Sequence, residues 1–141
     1  MTKIIAQLRK KYNKRTVNIL GTEYLIRFEN TETVPALNDL CGYCSYNSHE
    51  IVINQEVNYF KDKSDEWITN DIKATLRHEL IHAFFGESGL TQSSAMYNGA
   101  WAQNEEMVDW MSLQSPKIFK VFTELELIEK EKNNVVQSKR H

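Results

Sequence analysis

The chain has 141 residues, 41% of them apolar and 26% charged, and a net charge of −2. That is enough chain for one domain with one core, and the charge balance offers no basic footprint for nucleic acid and no acidic tail. Apolar runs such as Ile51-Val52-Ile53 and Ala83-Phe84-Phe85 are too short to span a bilayer, and the first fifteen residues lack the apolar stretch of a signal peptide. The expectation is a monomeric cytoplasmic protein without nucleic-acid or membrane partners.

Ile4, Ile5, Leu8 and Tyr12 recur at helical spacing and predict a first helix over residues 2–12. Residues 16–20 and 23–30 are rich in β-branched and aromatic side chains on either side of Gly21-Thr22, which predicts a β-hairpin. Pro35 interrupts the next segment. Residues 42–54 read as a turn running into a third strand, with Ile51 and Ile53 on one face. Glu50 to Asn54 is a candidate edge strand to which an extended peptide could add, with an ordinary inner strand as the alternative.

Cys41 and Cys44 form a C-x-x-C pair, but a zinc ribbon needs a second pair and the sequence has only these two cysteines. A redox pair should open a helix, whereas this one leads into a strand. Two reduced thiols at a turn or strand end are expected, with a labile disulfide as the alternative.

Ser64-Asp65-Glu66 is a helix start, a capping residue followed by acids in the first turn. Ile68, Ile72, Leu76, Leu80 and Ala83-Phe84 then keep a 3.6-residue period up to Phe85, and Gly86 is the expected stop. Residues 87–100 read as a loop with room for one helical turn. A second helix is predicted over 101–114. Ser115-Pro116 should end it and start a third, with Pro116 in the first turn and Ile118, Val121, Phe122 and Leu125 as its apolar stripe. The last ten residues are expected to be disordered, leaving one domain over 1–131. The class is α+β: a small antiparallel sheet first, then helices.

The long helix carries His78, Glu79 and His82 in the order H-E-x-x-H. Residues four apart share a helix face, so both imidazoles can point at one metal ion, at roughly 2.0–2.1 Å if it is zinc. Glu79 lies about 100° around the helix, beside such an ion but not bonded to it, where a general base belongs. The trio sits on the face that Leu76, Leu80 and Ala83 leave free. A catalytic zinc site usually has a third protein ligand. His49 and His141 have no supporting context, but the next helix carries Asn104, Glu105, Glu106 and Asp109. Glu105 and Asp109 share a face, so Glu105 can ligate while Asp109 bonds the free nitrogen of a ligand histidine. Glu106 is turned about 100° away and reads as a solvated acid. Met107, Val108, Trp110 and Met111 are expected to bury much of this helix.

H-E-x-x-H followed by N-E-x-x-x-D resembles the gluzincin metallopeptidases, over about residues 71–113. The small size and short second motif are similar to the ImmA/IrrE-type metallopeptidases of phages and mobile elements. The resemblance implies Zn2+ held by His78, His82 and Glu105, Glu79 as catalytic base, Asp109 as partner of a ligand histidine, and hydrolysis of a peptide or protein substrate. It also implies an oxyanion-stabilising Tyr or His, for which Tyr97, in the loop between the motifs, is the guess. Two other readings stand beside it: a metal-binding but inactive inhibitor or regulator that holds another protein, and a metal-free helical scaffold.

Overall fold

The computed structural model describes residues 2–56, 58–94 and 104–128. Helix α1 (Lys3–Tyr12) starts at Thr2, whose hydroxyl accepts the Ile5 amide hydrogen bond, and buries Ile5 and Leu8. Strands β1 (Thr16–Ile19) and β2 (Thr22–Glu29) pair antiparallel. They turn through Leu20 and Gly21, both at positive φ (51° and 99°), as a two-residue hairpin requires. Tyr24, Ile26 and Phe28 alternate on the buried face of β2.

Residues 42–54 hold two strands where one was expected: β3 (Gly42–Ser45) and β4 (Glu50–Asn54) form a second hairpin. The sheet order is β1-β2-β4-β3, and β2 and β4 run parallel. The α+β class is as expected; the all-antiparallel sheet is not. After β2 the chain crosses by way of a 3-10 turn at Pro35–Leu37 and returns through β3, so β4 points the same way as β2. Nor is β4 an edge strand: it is an inner one, and β3 holds the edge. The reason is legible in Ile51, Val52 and Ile53, all at most 1% exposed. An unbroken apolar run marks a strand covered on both faces, Ile51 and Ile53 by the main core and Val52 on the opposite face from them.

Helix α2 (Asp65–Glu87) begins where expected, with the Ser64 side chain accepting from the Trp67 amide. Its buried stripe is Ile68, Ile72, Leu76, Glu79, Ala83 and Gly86. This corrects the sequence reading, because Glu79 lies in the apolar stripe itself; Leu80 only packs against the core and Phe84 is exposed. Gly86 does not stop the helix either. It is a helical residue in the last turn, and the left-handed residue after the end is Gly89 (φ 80°). Near that end Glu87 accepts hydrogen bonds from the Tyr24 hydroxyl (2.7 Å) and the Thr22 hydroxyl (2.9 Å), tying α2 to β2. The core joins α1, the sheet and α2 around Phe28, Ile53 and Ile72.

The short α3 (Leu90–Ser94) fills the single turn allowed for in 87–100. Then comes one helix, α4 (Glu105–Glu124), with Pro116 inside it. The predicted break at Ser115-Pro116 is absent for an identifiable reason. Proline cannot donate to the carbonyl four residues back, here that of Ser112. Arg77 of α2 supplies the missing donor, its Nε bonding the Ser112 carbonyl oxygen at 3.0 Å. The Ser112 hydroxyl in turn donates to the Ala74 carbonyl at 3.1 Å. Val108 and Ser112 are the buried residues of this face, while Met107 and Trp110 are exposed, contrary to expectation. The stripe expected at 116–130 is also weaker than its spacing suggested: Leu125 is exposed and Ile118 only half-buried. The expected tail, 132–141, and the first residues of the predicted second helix, 101–103, lie outside the described residues. Among the described residues no helix is long and apolar enough to cross a membrane.

The Arg77–Ser112 bond makes a double-variant test. Arg77→Met should cost about 1–3 kcal/mol by leaving a buried carbonyl without a donor. In a Pro116→Ala background, where residue 116 regains its amide hydrogen, the same change should cost much less. Chemical denaturation of the four proteins measures the coupling; equal costs in both backgrounds would refute it.

Candidate metal centre

The structure brings five of the expected site residues together, three from α2 and two from α4. Asn104 caps α4, its side-chain oxygen accepting from the amides of Glu106 (2.8 Å) and Met107 (3.3 Å). Glu105 is therefore the first helical residue, and α4 presents it to α2. The Glu105 carboxylate lies 3.0 Å from His78 Nε2 through Oε2 and 3.2 Å from His82 Nε2 through Oε1. The two Nε2 atoms are 3.2 Å apart. Asp109, one turn further along α4, takes His78 Nδ1 at 2.7 Å. Glu106 has no contact with the histidines among those observed.

This donor set has a definite chemistry. An ionised Asp109 can only accept, so His78 Nδ1 must carry the proton and, in the neutral ring, Nε2 is a bare lone pair. That lone pair faces a carboxylate oxygen and a second imidazole nitrogen at close range. Such a group of acceptors repels itself unless a cation or a proton sits between them. Bonds of roughly 2.0–2.1 Å in tetrahedral arrangement separate donors by roughly 3.3 Å, close to the spacings seen here. The residues present therefore fit a metal ion.

Two triads compete for it. His78, Glu79 and His82 place one ligand atom each within 4.8 Å of one another. His78, His82 and Glu105 are tighter, at 3.0–3.2 Å. The second set fits tetrahedral spacing better, because the Glu79 carboxylate oxygen stands 4.0 Å from His78 Nε2, wider than the roughly 3.3 Å between donors of a tetrahedral ion. Glu79 is instead the buried carboxyl behind the triad, 6% exposed. Burial pushes its pKa up to about 7, with Glu105 and Asp109 adding to the rise and His78 opposing it. Burial also lowers the pKa of His82, keeping that ring neutral and able to ligate.

The site opens into a cavity of about 860 Å³ between α2, α4 and the edge strand β3, whose walls include Gly42, Tyr43, Cys44, Tyr46 and Thr75. Both cysteines are free thiols. Cys44 packs against the core, and burial pushes its thiol up to about 12, so it stands beside Glu79 as a neutral group rather than a thiolate.

Tyr46, which sequence reasoning passed over, braces the site. Its hydroxyl donates to the His82 backbone carbonyl at 3.0 Å, and its ring lies against Gly86, where an added Cβ would come within 2.5 Å of Cε1. The signal was available as spacing: Gly86 stands one turn beyond His82 on α2. The partner, in the turn after β3 and forty residues earlier, was not. Tyr97, the expected oxyanion residue, lies outside the described residues.

No protein-family model, no curated protein and no solved structure matches this chain.

Gly86→Ala should force the Tyr46 ring off the helix and cost about 1–3 kcal/mol, despite the better helix propensity of alanine. Adding Tyr46→Ala should remove most of that extra penalty. Thermal melts of both variants check this, and a Gly86→Ala protein as stable as wild type would show that the ring is free to move.

Proposed function

We propose that this protein is a zinc-dependent metallopeptidase similar to the gluzincins, with His78, His82 and Glu105 as ligands and Glu79 as the base. The observation that carries the reading is the convergence of two Nε2 atoms and a carboxylate within 3.0–3.2 Å, with a buried carboxyl beside them. The contacts of Glu105 with the histidine Nε2 atoms and of Asp109 with His78 Nδ1 also support it.

Zinc bound there would supply Lewis-acid polarisation of a peptide carbonyl and of a water molecule. The chain's own residues do the rest. Asp109 holds His78 in the Nδ1-protonated tautomer, so that Nε2 faces the cavity. Glu79 accepts a proton as the water oxygen bonds to the carbonyl carbon. It delivers that proton to the amine nitrogen as the carbon–nitrogen bond breaks. A carboxyl whose pKa lies near 7 exchanges protons in both directions at neutral pH. β3, as the sheet edge along the cavity, offers backbone groups to an extended peptide. It takes over the role that the sequence reading gave to β4. Two free thiols suit a reducing cytoplasm.

The competing reading, a metal-binding protein that holds a partner without turnover, shares the ligands and differs at Glu79. Glu79→Gln should keep zinc and fold yet abolish cleavage of an unfolded protein substrate. Elemental analysis of untagged protein, wild type against His82→Ala and Glu79→Gln, together with a cleavage assay, separates the cases. Equal zinc in wild type and His82→Ala would reject the ligand set. Zinc without cleavage in the wild type would favour the binding protein.

Removing the metal gives a second test. An ion that binds only the folded state stabilises it by mass action. A chelator should therefore lower the melting temperature at neutral pH. Ligand histidines must be neutral to bind, so the gap between chelated and zinc-loaded protein should shrink as pH falls through and below the ordinary histidine range, about 6.5, toward pH 5. The metal-free protein should still fold, because its core lies between α1, the sheet and α2. Superimposable curves at neutral pH would argue against an ion joining α2 to α4.

A further inference from the structure

One exposed apolar patch is continuous with the cavity. Leu40 and Tyr59 are each 46% exposed and Trp67 is 38% exposed. The Tyr59 and Trp67 ring centroids lie 6.3 Å apart, and both rings meet Phe60 edge-on or nearly so. Phe60 is a core residue, 3% exposed, so the two surface rings stand on a fixed base. Cys41 reaches the Tyr59 hydroxyl at 3.5 Å. The loop before β3 is pinned as well, by Asn54 Nδ2 donating to the Leu40 carbonyl at 2.9 Å. Leu40 and Cys41 also line the cavity that holds His78, Glu79 and His82. Patch and cavity are thus one surface.

The helix gives its length. Trp67, Asp71, Thr75, His78 and His82 succeed one another along α2 at steps of three or four, one face of the helix. β3 runs beside that face in the same sense, with Gly42 against Thr75 and Tyr46 against Gly86. Trp67 precedes His78 by eleven residues, about 16 Å at the helical rise. An extended peptide covers that distance in about five residues.

We propose that Leu40, Tyr59 and Trp67 form a distal subsite of the peptide groove, which takes an apolar side chain about five residues to one side of the cleaved bond. The inference rests on the peptidase reading. A patch of this kind, preorganised by Phe60 and running into a groove with a free strand edge, suits a large aliphatic or aromatic side chain of an extended chain. Lys63, whose Nζ lies 4.7 Å over the Trp67 ring, contributes a cation on its rim.

The test uses zinc-loaded full-length wild type and a pool of randomised twelve-residue peptides, with cut sites mapped by mass spectrometry. Leu, Met, Phe, Tyr or Trp should be enriched four to six residues from the cut, always on the same side. In a single defined substrate, changing that residue to Ser should lower kcat/KM about tenfold. The Tyr59→Ser/Trp67→Ser variant should lose the discrimination between the two peptides. The peptide-side substitution stands even if that variant folds poorly. Cleavage without any preference at that distance would overturn the subsite and leave the peptidase reading intact. So would discrimination that persists in the variant, which would place the subsite elsewhere. Absence of cleavage across the whole pool would overturn the peptidase reading, and this inference with it.

Discussion

The site depends on how α4 lies across α2, and that contact turns on Ser112. Its carbonyl would be orphaned by Pro116 and is taken by Arg77; its hydroxyl bonds the Ala74 carbonyl. A proline that ordinarily breaks a helix becomes a docking device, because the carbonyl it frees is a strong acceptor with no water to turn to. The bond is directional, so it sets rotation as well as distance. Rotation is what the chemistry needs. Glu105 and Asp109 lie seven and three residues before Ser112 on the same side of the helix, and only one rotational setting presents both to His78.

Glu79 carries the opposite logic. Its carboxyl occupies a place in the apolar stripe of α2 that a leucine would fill with less strain on the fold. Burying an ionisable group disfavours its charged form, which is why its pKa rises toward 7. A residue that costs stability where a hydrophobe would add it is a common sign of a functional position. Its neighbour Cys44, neutral and half-buried, keeps that corner of the cavity poor in charge.

Sheet topology completes the arrangement. Pairing β4 parallel to β2 moves the β3 hairpin arm to the outside, alongside α2. The edge of β3 and the donor face of α2 then form two walls of one cavity. Tyr46, just past the end of β3, bonds back to the His82 carbonyl and couples the strand edge to α2. Gly86 makes room for the ring. Had β4 been the edge, as its sequence first suggested, the strand beside His78 and His82 would have been one already paired on both sides.

Local spacing alone determined a good deal. The H-E-x-x-H face, the start of α2 at Ser64, the β1–β2 hairpin and the preference for Glu105 over Glu106 follow from helical phase, capping and turn chemistry, which act between residues close in the chain. What spacing could not determine was every relation between distant segments. The parallel partner of β4 was hidden because strand alternation is the same in either direction, although the unbroken Ile51-Val52-Ile53 run already hinted at an inner strand. The continuity of α4 through Pro116 was hidden because the substitute donor, Arg77, lies thirty-nine residues earlier in sequence. The burial of Glu79 was hidden because helical periodicity places a residue on a face, and only packing decides which face is covered. Tertiary structure decided these points for one physical reason: each depends on a hydrogen bond or a buried contact whose partner the local sequence does not contain.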